Sequence, residues 1–177
     1  LRHFKQDLQK YFSNSEIFKI FKDNKRMLLF LLEEKMMIID EHIFLKVLIY
    51  EYKENYCEYF QPEIKQFLTE ENIEKYIRKN KLLKDNKFIE RMNKEVESNF
   101  YEKRREGLND DYLCELIRNN EIKEFIRFTE QRNLSLEIYI KKSIFETNQL
   151  LTGAYKISLI EYASFYGSND IIKYMEK

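Results

Sequence analysis

Apolar residues recur every three to four positions along nearly the whole chain, the spacing of one helix face. Phe4, Leu8, Tyr11 and Phe12 make such a face for an opening helix that stops at Ser13-Asn14-Ser15. Ser13 followed by Glu16 has capping-box spacing and starts the next helix. Ile17 to Lys35 reads as two helices broken at Asp23-Asn24, and a longer helix is expected from Asp40 to Tyr59. Pro62 suits the first turn of the helix after it, where a missing N–H costs nothing. Thr69 is placed to cap the segment beginning Glu70-Glu71, whose carboxylates favour the positive end of the helix dipole. The longest helix is predicted from Asp85 to about Glu106, with Phe88, Met92, Val96 and Phe100 as a narrow stripe and Gly107 as its C-terminal cap. Asp110 to Arg132 gives a helix pair turning at Asn119-Asn120. From Leu134 to Ile157 the periodicity fades into an irregular connector, with one short helix around Ser143–Leu150.

The last helix pair resembles an earlier one. A shift of 47 aligns Asn120 with Gly167 and matches Leu113 to Ile160, Leu116 to Ala163, Phe125 to Ile172 and Phe128 to Met175. A shift of 96 aligns Asn24 with Asn120 and puts Ile17, Ile20, Leu29 and Leu32 in the same apolar slots. Around Glu71 the match is weaker, retaining Ile64, Phe67 and Tyr76. Each copy reads as a short helix, a tight turn and a second helix. The expected fold is therefore all-α: stacked antiparallel helical hairpins, solenoid-like, with an N-terminal helical domain over 1–107 and degenerate helical pairs over 108–177.

Ser158, Leu159, Ile160, Glu161, Tyr162, Ala163 and Ser164 lie where an ankyrin repeat carries Thr-Pro-Leu-His-x-Ala-Ala, and Gly167 follows at that family's spacing. Ser158 is a good helix cap, Ala163 is small where paired helices approach, and Gly167 is free to take the positive φ that reverses the chain. Leu159 departs from the family's proline, Glu161 replaces the histidine that ties neighbouring repeats, and the β-hairpin segment is missing. From about Ile17 onward the chain resembles the helical domain that precedes ankyrin arrays in protist proteins, notably trichomonads. The stretches that carry this are "YFQPEIKQFLTEENIEKYI", "YEKRREGLNDDYLCELIRNNEIKEFI", "KKSIFETNQLL" and "SLIEYASFYGS". The resemblance implies a natural protein continuing past Lys177 into ordinary ankyrin repeats, and an apolar end there through which the piece would self-associate.

Composition agrees with helix: 35% charged residues, one proline and three glycines in 177 residues leave few chain reversals. The many Lys, Asn, Ile, Phe and Tyr codons are A/T-rich, which points to genome bias. A net charge of zero argues against a general binder of nucleic acid or anionic membrane. The charge is uneven all the same. Glu51 to Glu74 holds seven Glu against two Lys, a balance of −5, and Lys81 to Arg105 holds eight Lys/Arg against five Asp/Glu, a balance of +3. A nucleic-acid module using that basic helix is the alternative function. The apolar run Met27–Leu32 is too short to span a bilayer.

Reactive groups are sparse. Asp40-Glu41-His42 is the one carboxylate–histidine cluster, but neighbours on a helix diverge, and Asp40 reads better as a cap. His3 stands alone. Cys57 and Cys114 fit neither a disulfide framework nor a zinc pattern, and read as free thiols of a reducing, cytoplasmic setting. The glycines are isolated, so no phosphate loop forms. Lys103 to Gly107 ends a helix, where cations complement the dipole. The expectation is a protein–protein interaction module, not an enzyme, without cofactor, metal or small-molecule substrate. Its partner-facing residues, carried over from the ankyrin likeness, are Phe165 and Tyr166 before the turn glycine, with Arg118 and Asn119 at the matching turn.

Overall fold

A computed structural model describes residues 8, 10–78, 80–153 and 156–176, and these are mostly helical. The chain divides into two compact units, Leu1–Arg105 and Glu106–Lys177.

In the first unit, local caps set the helix starts. Helix α1 (Asn14–Phe21) begins at Ser13, whose hydroxyl accepts from Glu16 N at 3.3 Å while Ser13 N donates to the Glu16 carboxylate at 2.8 Å. The Asn24 side chain accepts from Met27 N at 2.9 Å and starts α2 (Lys25–Glu33). Asp40 does the same for α3 (Glu41–Glu54), accepting from Ile43 N at 2.8 Å. Helices α4 (Tyr56–Tyr59) and α5 (Gln61–Ile64) follow, the latter with Pro62 in its first turn, and Thr69 caps α6 (Glu70–Tyr76). Helices α7 (Asn86–Asn93) and α8 (Phe100–Glu106) come next. Ile17, Leu28, Met36, Phe44, Tyr56, Tyr59, Phe60, Phe88 and Met92 share one core.

Three expectations are corrected here. The helix from Asp40 to Tyr59 is interrupted, because Asn55 takes the left-handed conformation (φ 52°) and the chain restarts in α4. The long helix from Asp85 to Glu106 is two helices: α7 ends at Asn93, Lys94 is extended, and α8 begins only at Phe100. The Gln61 side-chain amide donates to Met92 O at 2.9 Å and to Lys94 O at 2.7 Å, taking carbonyls that a continuing helix would have bonded itself. Of the predicted stripe, Phe88, Met92 and Phe100 are buried, and Val96, in the non-helical link, is half-buried. The opening-helix face is covered only in part over its described residues: Leu8 packs on the core but Tyr11 and Phe12 are exposed, and Phe4 lies outside the described residues, as does His3.

The second unit contains two helix pairs. Helices α9 (Tyr112–Arg118) and α10 (Ile122–Gln131) form one; α12 (Leu159–Tyr166) and α13 (Asn169–Met175) form the other. First helix packs on first and second on second. Their backbones coincide at the 47-residue shift. Asp111 and Ser158 are the N-caps, Asn120 (φ 52°) and Gly167 (φ 69°) are the left-handed turn residues, and the turn bonds Glu121 N to Leu116 O and Ser168 N to Ala163 O correspond. The shift of 96 does not share this turn, since Asn24 has φ −127° and Ile20 is exposed. Glu71 lies inside α6, so the third alignment places its turn within a helix.

The connector's short helix, α11, spans Gln149–Thr152, at the end of the expected range. Extended chain at 138–140 meets 157–159 through an isolated antiparallel bridge, Tyr139 opposite Ser158. Polar groups pin the rest. The buried Glu146 carboxylate accepts from Asn109 N (3.2 Å) and Asn148 N (2.8 Å), the Asn109 amide donates to Lys141 O (2.8 Å), and Thr147 N and Oγ1 both donate to Gly107 O.

Candidate functional site

The turn ending α12 presents the aromatic pair picked out from the sequence. A capping box fixes the start of this helix: Ser158 N donates to the Glu161 carboxylate at 2.8 Å and Glu161 N donates to Ser158 Oγ at 3.3 Å. These bonds also hold the Glu161 carboxyl below its usual range. Gly167 fixes the end, a conformation in which any side chain would be strained. Between them a ladder of rings runs outward from the core. Tyr162 is fully buried, its ring 4.9 Å from that of the half-buried Tyr166, which lies edge-on to Phe165 at 5.0 Å. Phe165, at 41% exposure, is the rung in solvent.

Arg118 and Asn119 part company. Arg118 turns inward, donating to Asn109 O at 2.7 Å and to the Tyr162 hydroxyl at 2.9 Å, and so ties the two helix pairs together. Asn119 is exposed and bonds Glu121.

The neighbour the sequence reading passed over as a mere turn residue is Asn120. Its Oδ1 accepts from Asp170 N (3.2 Å) and Ile171 N (3.4 Å), and its Nδ2 donates to the Asp170 carboxylate (2.9 Å), so it caps α13 from another helix pair. Ser168 Oγ returns the tie by donating to Ile117 O. No local spacing names these residues, because each bonds a group about fifty positions away. Replacing Asn120 with glycine keeps the turn and removes the tie. Asn120→Gly should cost about 1 kcal/mol in urea denaturation, and Asn120→Ala more, since it adds backbone strain. Equal stability for all three chains would deny the tie any weight.

Lys103–Arg105 is matched by carboxylates. Lys103 pairs with Glu97 at 3.4 Å, Arg105 with Glu33 at 3.1 Å, and the buried Arg104 with Glu63 at 2.8 Å. Arg91 likewise meets Glu58 at 2.8 Å.

Both thiols are buried, Cys57 with its Sγ 3.9 Å from Val47 O. Burial chiefly, with the nearby charges of Asp111 and Glu146, pushes the Cys114 thiol up to about 12, against the pull of Arg118 and the Tyr162 hydroxyl. A folded-state value above the unfolded one, about 8.5, means the thiol's contribution is fully present below that pH and is lost as pH rises toward 12. Stability of the Cys114→Ala variant should therefore fall less than wild type between pH 8 and 11. A parallel decline would show that the thiol does not contribute. His42 is exposed, Asp40 serves as a cap, and Glu41 pairs with Lys75. Among the described residues no three His, Cys, Asp or Glu side chains are grouped to hold a metal ion, and no helix is long and apolar enough to cross a membrane. Compared with family models, curated proteins and solved structures, the chain matches none.

Proposed function

We propose that the chain is a non-catalytic protein–protein interaction module, the N-terminal part or cap of an ankyrin-type helical scaffold, acting in a reducing cytoplasmic compartment. The observation that carries this is Phe165: a large aromatic side chain held in solvent by a helix capped at both ends and backed by Tyr166 and the buried Tyr162. A rigid exposed aromatic gives contact area at little entropic cost, which is how interface hot spots work. Two buried thiols agree with the compartment. The sequence likeness to ankyrin units, and the shared backbone of the two helix pairs, support the scaffold setting and a solenoid-like continuation.

The nucleic-acid reading of Lys81 to Arg105 draws less support, because Arg91, Lys103, Arg104 and Arg105 already face carboxylates and the single helix that would align them is broken.

The test is comparative capture. Phe165→Asp should keep the thermal midpoint within a few degrees, since the side chain is a surface one, and lose at least tenfold in binding to whichever polypeptides wild type retains. Retention of the same polypeptides by both chains at equal strength would remove Phe165 from the interface.

A further inference from the structure

We propose that the connector segment 137–141 is a self-complementary strand edge, through which two copies of this chain pair antiparallel about a two-fold axis at Tyr139. It goes beyond the interaction-module reading, since it uses a surface apart from Phe165 and fails separately.

One side of this segment is already spent. Ile140 N donates to Ile157 O at 2.8 Å and Leu159 N donates to Ile138 O at 3.3 Å, around the bridge of Tyr139 to Ser158. In extended chain the N–H and C=O of successive residues point to opposite sides. The Tyr139 N–H and C=O therefore point away from 157–159, and among the described residues neither has a hydrogen-bond partner. The Glu137 C=O and the Lys141 N–H have none either. Glu137 N is taken by Ser135 Oγ at 3.2 Å, and Lys141 O by the Asn109 amide at 2.8 Å. An open strand edge is a template for another strand. The side chains alternate to match: Ile138 and Ile140 pack on the core of the second unit, while Glu137, Tyr139 (55% exposed) and Lys141 face solvent.

The order of residues decides which strand this edge receives. Glu137-Ile138-Tyr139-Ile140-Lys141 reads alike in both directions, except that its end charges are opposite. Two such segments laid antiparallel, Tyr139 against Tyr139, set Glu137 against Lys141 at both ends and Ile138 against Ile140. The backbone fits the same register. The two Tyr139 residues exchange a pair of bonds, and each Lys141 N–H meets the other copy's Glu137 C=O. The groups this register leaves over, Glu137 N–H and Lys141 C=O, are the two already bonded within their own chain. Neither charge is committed elsewhere among the described residues. A foreign strand carrying only acidic residues would suit Lys141, and Lys156 over the Tyr139 ring at 5.3 Å, but would set a like charge against Glu137. The second copy answers both ends. A contact this short is small beside the roughly 1,600 Å² of a standard interface, so the dimer is weak and forms only at high concentration.

Sedimentation equilibrium of the whole chain, up to about 1 mM, should show monomers passing into dimers. Glu137→Lys and Lys141→Glu each bring like charges together at both ends, and each should weaken self-association at least about tenfold. Mixing the two single variants restores opposite charges at both ends, so the mixture should pair with wild-type strength. Unchanged helical circular dichroism in each variant shows that the fold survives the exchange. Amide hydrogen exchange reads the backbone: the Tyr139 N–H should exchange fast in dilute solution and slow as concentration rises, while the Ile140 N–H stays protected throughout. The strand-edge dimer is overturned by an absence of association up to that concentration, by a Tyr139 amide already protected in the monomer, or by single variants that do not recover on mixing. A dimer equally strong in every charge variant, or one lost in Phe165→Asp, places the contact elsewhere and overturns it too. Loss of captured protein in Phe165→Asp with self-association intact keeps the two readings apart.

Discussion

Removing either member of the Arg104–Glu63 pair should destabilise the first unit by about 3–5 kcal/mol, the cost of leaving a buried charge uncompensated. Arg104 is 3% exposed; its two terminal nitrogens meet the two Glu63 oxygens at 2.8 Å each, and Nη1 also donates to Tyr59 O at 3.2 Å. The guanidinium lies 5.4–5.9 Å from the ring centres of Tyr59, Phe100 and Tyr101, and the Tyr59 hydroxyl donates back to Arg104 O. Its Nε is buried without an acceptor, so the cation depends on Glu63 more than the reverse. The Glu63 side chain is 24% exposed and water relieves part of its loss, so Glu63→Ala should cost more than Arg104→Ala. Urea denaturation of the two single variants and of Arg104→Met/Glu63→Leu closes a double-mutant cycle. The double variant should recover much of the loss. Single losses under about 1 kcal/mol would mean that the pair behaves like a solvated surface contact.

Tyr162→Ala should cost the second unit a similar amount, about 3–5 kcal/mol, the range for emptying a buried aromatic site. The ring is fully buried, packs on Tyr166, and carries the hydroxyl that Arg118 holds. Tyr162→Phe isolates that hydroxyl. It should cost about 1–2 kcal/mol, because Arg118 Nη1 keeps only Asn109 O. Hydrogen exchange of the α9 and α12 amides would read both variants, and protection unchanged in Tyr162→Ala would show that the two helix pairs do not depend on this contact.

The helix starts were legible because caps are local: Ser13 with Glu16, Asp40, Thr69, and Ser158 with Glu161 lie within three residues of what they bond. So was the turn at Gly167, where only one residue type is comfortable. Interruptions were not. The break after Asn93 is matched by Gln61, more than thirty residues earlier, and a four-residue apolar stripe across it looked continuous because Phe100, beyond the break, is buried as Phe88 and Met92 are. Arg104 reads with Lys103 and Arg105 as a helix-end cation complementing the dipole, since its partner Glu63 lies 41 positions away. At the candidate site Phe165 and Tyr166 are expected in solvent from the ankyrin likeness, and Phe165 is exposed while Tyr166 is half-buried. The inward reach of Arg118 and the cross-hairpin cap from Asn120 depended on a neighbour that only folding supplies.

The connector has a use in protein engineering that its irregular backbone hides. Long loops are ordinarily where epitopes and fluorescent inserts are grafted, since little depends on their path. Between Lys141 and Asn148, however, main-chain and side-chain groups are fastened to Gly107, Asn109 and Asp110, so lengthening the chain there would pry open α9's anchorage. Gly153, exposed and just past α11, offers the gentler point of entry.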